Sequence, residues 1–137
     1  MLSCRFCSIV QGAETATVVL STGGEIAFLD VSPVNPGHTL VVPRRHIGSF
    51  TEMTADETSS LAVVVQRVAT ALKEQLPGCV GITLSLADGE GAGQDVPHAH
   101  FHVIPRYKSD DFGWRRYGQP ADRGSLDLLA AIVRSKE

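Results

Sequence analysis

Three histidines alternate with apolar residues in the stretch His98-Ala99-His100-Phe101-His102-Val103-Ile104-Pro105-Arg106. Alternate side chains of a β-strand point to the same face. We therefore expect all three imidazoles on one face, roughly 7 Å apart, and the intervening apolar residues against a core. The chain has five histidines, and the other two, His38 and His46, flank a second apolar run. The pattern predicts that the histidines converge on one or two sites.

Length and composition limit the broad class of protein. The chain has 137 residues, of which 43% are hydrophobic and 20% charged, with a formal net charge of −3, and this predicts one domain over residues 1–137. No clustered basic excess marks a nucleic-acid surface. No apolar run approaches the length of a membrane-spanning helix, and the first residues lack the pattern of a signal peptide. We therefore expect a cytoplasmic protein that binds neither nucleic acid nor membrane.

Short apolar runs predict the strands. Residues 25–30 and 39–43 have the composition of two strands joined by a loop rich in proline and asparagine, and residues 81–87 alternate like a half-buried strand. The histidine stretch adds a fourth strand. Links of hairpin length between these runs favour an antiparallel sheet over repeated βαβ crossovers.

Two helices are predicted from capping signals and apolar periodicity. Thr54 and Glu57 have the spacing of a capping box for a long helix that ends at Pro77-Gly78. Ser125 is predicted to cap a short C-terminal helix. The expected class is α+β, with a mainly antiparallel sheet, one long helix and a short C-terminal helix. The apolar stripe of the long helix is predicted to comprise Leu61, Val64, Val65, Val68 and Leu72.

Three imidazoles on one face favour two kinds of chemistry. Imidazole is a common zinc ligand, and a catalytic zinc takes three protein ligands and water. A neutral imidazole is also a nucleophile near pH 7, able to attack phosphorus while its neighbours stabilise charge on the phosphoryl oxygens. The plainer alternative is three solvated histidines on an edge strand.

The loop before the histidines favours phosphate chemistry. Gly89, Gly91 and Gly93 let backbone N–H groups approach an anion closely, and Gln94 adds a side-chain amide. Such a loop alone is a weak signal and is typical of a turn. Directly before an imidazole strand, it predicts a phosphate-binding segment.

The residues from Gly93 to Arg106 resemble the signature of the histidine-triad (HIT) superfamily, whose pattern is His-x-His-x-His flanked by apolar residues. Upstream, residues 27–33 and 36–46 resemble the first half of the same domain, including the run Pro-Gly-His-Thr-Leu-Val-Val-Pro. The similarity covers about residues 4–106 and leaves a C-terminal tail, residues 107–137. It implies a HIT-like α+β fold, a homodimer and the binding of purine nucleotides such as AMP conjugates.

The same resemblance implies a role for each matching residue. His100 would be the nucleophile that takes up a nucleotidyl group. His102 would contact the α-phosphate, with His38 completing the imidazole cluster and Gln94 assisting. Asp30 would accept hydrogen bonds from the ribose hydroxyls. Without the motif, the apolar members of the nucleotide set would be interpreted as core. The expected nucleotide-binding residues are Phe6, Ile9, Phe28, Asp30, Val31, Gly93, Gln94, Asp95, His100 and His102.

Cys4 and Cys7 form a CxxC pair near the start of the chain. They are poorly placed for a redox dithiol, which follows a strand and opens a helix, and as half of a zinc site they need two more ligands. Bacterial relatives that this chain resembles pair such cysteines with two histidines, here His46 and His98. The resemblance implies a closed, structural Zn²⁺ site, with two free thiols as the alternative. The third cysteine, Cys79, is expected to be a small buried residue.

Two positions depart from the family pattern. Ala87 stands where the best-studied members carry Asn or Gln, which helps to position the phosphate or the nucleophile. Asp95 stands where they often carry Ser or Thr. Because a carboxylate repels a phosphate, we expect Asp95 either to offer only its backbone N–H or to favour an amine leaving group by accepting its proton.

The leading hypothesis is a HIT-type hydrolase or nucleotidyl transferase. It would act on the α-phosphate of phosphoramidate or dinucleoside polyphosphate substrates through a nucleotidyl-histidine. The alternatives are a nucleotide-binding module with weak or no catalysis, and a metallohydrolase with catalytic zinc on the triad. The tail aromatics Phe112, Trp114 and Tyr117 are interpreted either as a contact with a partner's site or as a packing clasp.

Overall fold

The computed structural model describes residues 4–112 and 120–134, and in these ranges five strands and three α-helices follow one another. The strands are β1 (Val18–Ser21), β2 (Glu25–Leu29), β3 (Thr39–Pro43), β4 (Cys79–Ser85) and β5 (Phe101–Tyr107). The α-helices are α1 (Arg5–Val10), α2 (Ala55–Gln75) and α3 (Arg123–Arg134). Short 3₁₀ helices cover Phe50–Glu52 and Glu90–Ala92.

The strands form one antiparallel sheet in the order β1-β2-β3-β5-β4. In its centre, Phe28 of β2 pairs with Leu40 of β3, which in turn pairs with His102 of β5. The helix α2 joins β3 to β4 and contacts the four strands from β2 to β5. This arrangement confirms the predicted α+β class, with its antiparallel sheet, long helix and C-terminal helix.

The helix α2 begins at the predicted capping box and covers one face of the sheet. Thr54 Oγ1 accepts a hydrogen bond from the Glu57 N–H, and the Glu57 carboxylate accepts one from the Thr54 N–H. The apolar stripe of α2 is buried against Ala27, Val41 and Val103 of the sheet. Since side chains alternate along a strand, the neighbouring His102 belongs to the opposite face, which α1 covers.

The strand β5 starts later than the histidine pattern predicts. Regular pairing begins at Phe101, which leaves His98 and His100 in the irregular segment before the strand. The backbone is the cause, because the His98 N–H donates to the Val96 carbonyl two residues earlier and not to a neighbouring strand. Of the three alternating histidines, His102 is therefore the one inside the strand.

Several other boundaries differ from the expectation. The apolar pattern did not predict α1 or β1. At the start of α3, the Asp122 carboxylate accepts bonds from the N–H and the hydroxyl of Ser125, so Asp122 and not Ser125 is the capping residue. The strand β4 begins at Cys79, whose side chain is half-buried instead of buried.

The helix α3 carries its apolar side chains on the surface. Within the described ranges, no helix combines the length and the apolar character needed to cross a membrane. The exposed apolar residues of α3 are Leu126, Leu128, Leu129, Ile132 and Val133.

Candidate functional site

Two cysteines and two histidines converge beside α1. Cys4 is the N-cap of this helix and Cys7 lies in its first turn, next to His46 after β3 and His98 before β5. Their ligand atoms all lie within 4.8 Å of one another. The Sγ–Nδ1 distances are 3.4 Å from Cys4 to His98, 3.7 Å from Cys7 to His98 and 3.2 Å from Cys7 to His46. Tetrahedral zinc with ordinary bond lengths separates sulfur from nitrogen by about 3.5 Å, so the cluster has zinc-site dimensions.

The protonation of this cluster also fits a metal site. His98 Nε2 lies 2.8 Å from the Pro43 carbonyl, and since a carbonyl only accepts, the proton is on Nε2 and the Nδ1 lone pair faces the cysteines. Burial, together with the adjacent Cys4, raises the pKa of the Cys7 thiol, so two thiolates here require a cation. The residues present therefore fit a Zn²⁺ ion held by Cys4, Cys7, His46 and His98.

The backbone of His98 orients the next histidine. The His98 carbonyl lies 2.7 Å from His100 Nδ1, so His100 donates from Nδ1 and keeps a lone pair on Nε2. The His100 side chain is buried, and Phe6 meets its ring edge to face with centroids 5.0 Å apart. The imidazole is thus held in one orientation, with Nδ1 toward the His98 carbonyl and Nε2 toward Asp95.

His38 and His102 form a hydrogen-bonded pair next to His100. His38 Nδ1 accepts from the Val34 N–H across 3.0 Å, so neutral His38 carries its proton on Nε2. That Nε2 donates to His102 Nδ1 across 2.9 Å, which leaves the His102 proton on its own Nε2. The rings of His100 and His102 meet with centroids 5.0 Å apart. The bonds place a proton donor, His102 Nε2–H, beside the His100 ring.

Burial keeps this pair neutral. It lowers the pKa of His38, against an opposing effect of Asp30, whose Oδ2 lies 3.6 Å from His38 Nε2. Burial is also the main cause of the lowered pKa of His102, to which the neighbouring His100 and His38 add. At neutral pH both imidazoles therefore donate and accept hydrogen bonds without carrying charge.

Asp30, His38 and His102 are near enough to one another to hold a second metal ion. The hydrogen bond that the Val34 N–H donates to His38 argues against a second metal ion. A metal on His38 Nε2 would require an imidazolate, because Nδ1 is already an acceptor. The His98 ring is directed to the cysteines, so only two of the three alternating histidines could bind the same ion. A catalytic zinc on the triad needs three protein ligands, and this argues against the catalytic-zinc alternative.

A cleft beside the histidines contains the residues predicted to bind base and sugar. Its enclosed part measures about 40 Å³, so a nucleoside would lie across an open cleft. Phe6 and Phe28 meet edge to face at 5.4 Å and form a rigid wall. The sequence interpretation missed Arg5, Thr15 and Ala16, which are lining residues from the segment around α1. The full lining is Arg5, Phe6, Ile9, Thr15, Ala16, Phe28, Leu29, Asp30, Val31 and Leu40.

Internal hydrogen bonds hold the glycine-rich loop and occupy the N–H groups of Gly89 and Gly93, two of the three glycines that were expected to offer them to an anion. The Gly89 N–H donates to Gln94 Oε1, and the Gly93 N–H donates within the 3₁₀ turn. Gln94 Nε2 donates to the carbonyls of Gly48 and Val96. The amide of Gln94 therefore braces the loop against the rest of the domain.

Two carboxylates flank this loop. Asp95 Oδ1 lies 3.7 Å from His100 Nε2, and the Asp95 side chain is 79% exposed. At the other end, Asp88 accepts hydrogen bonds from the Ser49 hydroxyl and the Phe50 N–H. The sequence interpretation assigned no role to Asp88. An aspartate next to glycine, with a partner forty residues away, carries no local signal of that anchoring role.

The tail aromatics are partly described. The Arg106 guanidinium lies 4.8 Å from the Phe112 ring centroid, in cation–π geometry. Trp114 and Tyr117 lie outside the described residues, so the contact proposed for them stays a prediction.

Comparisons with known proteins agree with this geometry. Residues 11–109 match the family model of the HIT domain. A solved HIT family protein from Bacillus subtilis has a TM-score of 0.91 and 32% identity, covering 99% of this chain and 98% of that one. A Zn-bound histidine triad family protein from Mycobacterium smegmatis has a TM-score of 0.77 and 35% identity, covering 98% of both chains.

An enzyme from Arabidopsis thaliana, the bifunctional bis(5′-adenosyl)-triphosphatase/adenylylsulfatase, is 43% identical over 95 residues. These residues are 69% of this chain and 52% of that enzyme. The family match over most of the length, the shared fold and the arrangement of the three alternating histidines lead to one conclusion: this chain belongs to the histidine-triad (HIT) family.

Proposed function

We propose that this protein is a nucleotide hydrolase or nucleotidyl transferase that acts on the α-phosphate of nucleoside monophosphate conjugates. The observation that carries the proposal is the orientation of His100. Its Nδ1–H is bonded to the His98 carbonyl, and its Nε2 lone pair lies on the side of the exposed Asp95. A buried imidazole locked in this tautomer is prepared for nucleophilic attack.

The reaction proceeds in two displacements at phosphorus. His100 Nε2 forms a bond to the α-phosphorus while the bond to the leaving group breaks, which gives a nucleotidyl-histidine. The His98 carbonyl accepts from the Nδ1–H of the resulting cationic ring. Water or another acceptor then attacks the phosphorus and loses its proton to solvent, while the P–Nε2 bond breaks and its electron pair returns to His100, which is neutral again. The Nε2–H of His102 stabilises charge on the phosphoryl oxygens, with His38 holding its orientation.

The nucleotide is proposed to occupy the cleft beside the histidines. Its base and sugar lie against Phe6, Ile9, Phe28 and Val31, and the Asp30 carboxylate accepts from the ribose hydroxyls. Asp30 Oδ1 already accepts the Ser32 N–H, which fixes the carboxylate at the cleft edge. The phosphate is proposed to lie against the backbone N–H of Asp95, because the N–H groups of Gly93 and Gln94 already donate to the Glu90 and Gly89 carbonyls. The name of the Arabidopsis relative supports an adenosine nucleotide as the class of substrate.

A structural zinc ion is proposed in the cluster of Cys4, Cys7, His46 and His98. When bound, it crosslinks α1 to the segments after β3 and before β5. The dimensions of the cluster and the Zn-bound relative from Mycobacterium smegmatis support this assignment.

We further propose a cytoplasmic homodimer. The strand β4 is an edge of the sheet, with Val80 and Leu84 exposed along it. An exposed apolar edge strand is a ready surface for pairing with a second copy. The apolar side chains of α3 add surface that a partner could cover.

The decisive experiment traps the intermediate. The protein is mixed with an AMP amidate, quenched at alkaline pH and examined by mass spectrometry. We expect a nucleotidyl adduct on His100 and release of AMP. The His100→Gly variant should lose the adduct and at least about 10³-fold in turnover, with the Kd for AMP nearly unchanged. Turnover by this variant would overturn the mechanism.

The alternative is a nucleotide-binding module without useful catalysis, which Ala87 and the carboxylate of Asp95 favour. The same experiment separates the two functions. Tight binding of AMP without adduct or product, with both amidate and diadenosine polyphosphate, would favour the module.

A further inference from the structure

The side chain of Asp95 lies on the solvent side of the proposed nucleophile. Its Oδ1 is 3.7 Å from His100 Nε2, whereas the remaining surroundings of that ring include the apolar Phe6 and the imidazole of His102. Asp30, the carboxylate on the other side, is directed to the Ser32 N–H and to His38. An incoming phosphate therefore meets the charge of Asp95 at the point where the leaving group exits to solvent.

The position of Asp95 is part of a braced segment. Gln94, the residue before it, is bonded through its side chain to Gly89, Gly48 and Val96. Because the backbone on both sides of Asp95 is tied to the domain, the residue is held where its carboxylate reaches His100. Of the two expectations for Asp95, the position of its carboxylate near His100 favours an effect of the side chain on the leaving group over a contact through the backbone N–H alone.

We propose that Asp95 is a specificity-determining residue that selects substrates by the charge of the leaving group, favouring cationic amines and disfavouring anionic groups. The inference rests on the proposed function. A carboxylate several ångströms from the scissile bond attracts a developing ammonium and repels a developing polyphosphate or carboxylate. At such a distance near a protein surface the difference corresponds to about tenfold in rate for each unit of charge.

In the first displacement, an amidate loses its amine. His100 Nε2 bonds to phosphorus, and the P–N bond breaks with its electron pair remaining on the amine nitrogen. That nitrogen takes a proton from solvent and leaves as the amine, which is protonated at neutral pH. The Asp95 carboxylate stabilises this positive charge electrostatically and takes no part in the proton transfer.

The test uses three AMP amidates with the same P–N bond and a different remote charge. Their amines are ethylenediamine (cationic), ethanolamine (neutral) and glycine (anionic). For the wild type we expect kcat/KM to fall in that order, with about tenfold between neighbours. Asp95→Asn should compress the series to within about threefold, mainly by slowing the cationic and accelerating the anionic substrate. Glu90→Gln, which removes an exposed charge from the same loop, should leave the series unchanged.

The outcomes separate this inference from the proposed function. Turnover of all three amidates with a series that Asp95→Asn does not compress overturns the charge selection and leaves the proposed function intact. If the wild type turns over none of them, and diadenosine polyphosphate also gives no product, the proposed function fails. The charge selection is then decided by the Kd values for the same three compounds, which should follow the same order in the wild type and not in Asp95→Asn.

Discussion

The carbonyl oxygen of His98 accepts a hydrogen bond from His100 Nδ1 across 2.7 Å. The His98 ring at the same time directs Nδ1 to Cys4 and Cys7 and is held through Nε2 by the Pro43 carbonyl. One residue therefore belongs to the metal-type cluster through its side chain and orients the proposed nucleophile through its backbone. Whatever fixes the His98 ring also fixes the position of His100.

Metal removal should affect stability before chemistry. We expect one zinc per chain, and we expect Cys7→Ser to lose it with about 3 kcal/mol of stability, which lowers Tm by about 6–12 °C in a chain of this size. Metal analysis and thermal unfolding measure both effects. Cys79→Ser is the matched control, because its Sγ donates to the Gly81 carbonyl outside the cluster. A chelator that abolishes turnover reversibly without lowering Tm would show a catalytic metal instead.

The lowered pKa values of His38 and His102 predict a pH-dependent stability. Below pH about 6.5 the unfolded chain binds protons that the folded histidines do not yet bind, so the free energy of unfolding should fall as pH falls from 6.5 toward the lower folded pKa values. Each such histidine contributes a slope of up to about 1.4 kcal/mol per pH unit.

Urea unfolding of the wild type and of His38→Asn between pH 5.5 and 8 checks this sign. The asparagine oxygen can still accept from the Val34 N–H but does not titrate. We expect a smaller loss of stability with falling pH in the variant. Equal slopes in the two proteins would contradict the assignment of His38 as neutral in the folded state.

Gly37 should tolerate no side chain. Its φ is +95°, and an added Cβ would lie 2.5 Å from Leu76 Cδ1 and 3.0 Å from Pro105 Cγ. The Gly37→Ala variant should lose about 2 kcal/mol or more, since left-handed strain and a steric conflict add. In Gly24→Ala the added Cβ meets no atom within 4 Å, so denaturant unfolding should show a change near zero. A Gly37→Ala protein as stable as the wild type would refute the close approach.

Gln94 should act as a positioning residue. In Gln94→Ala the Gly89 N–H and the Gly48 and Val96 carbonyls lose their shared partner, and the loop before the histidines loosens. We expect kcat to fall about 10- to 100-fold, with Tm lowered by only a few degrees. Gln94→Glu keeps an acceptor for Gly89 but sets a carboxylate against two carbonyls, and should not restore kcat. Equal rates for both variants and the wild type would exclude a positioning role.

Much of the fold was predictable because its signals are local. The capping box at Thr54 and the helical stripe after it defined α2, and two apolar runs defined β2 and β3. In contrast, α1 and β1 carry short or weak patterns. The burial of α1 depends on the sheet face that it covers, and β1 is a largely exposed edge strand, so neither element has a strong local apolar signal. The late start of β5 has the same origin, because a backbone turn at His98 overrides the alternation that the side chains suggest.

The sequence by itself determined which residue types could do chemistry here: five histidines in two segments, a CxxC pair and a family signature that joins them. Tertiary structure decided which of these residues lie together in the metal-type cluster and which lie together around His100. It turned the His98 ring to the cysteines, linked His38 to His102 and directed Asp95 to His100. It also oriented the rings of His38, His98 and His100, through the backbone groups of Val34, Pro43 and His98 respectively. Those choices depend on hydrogen-bond partners brought from distant parts of the chain, and local spacing carries no information about them.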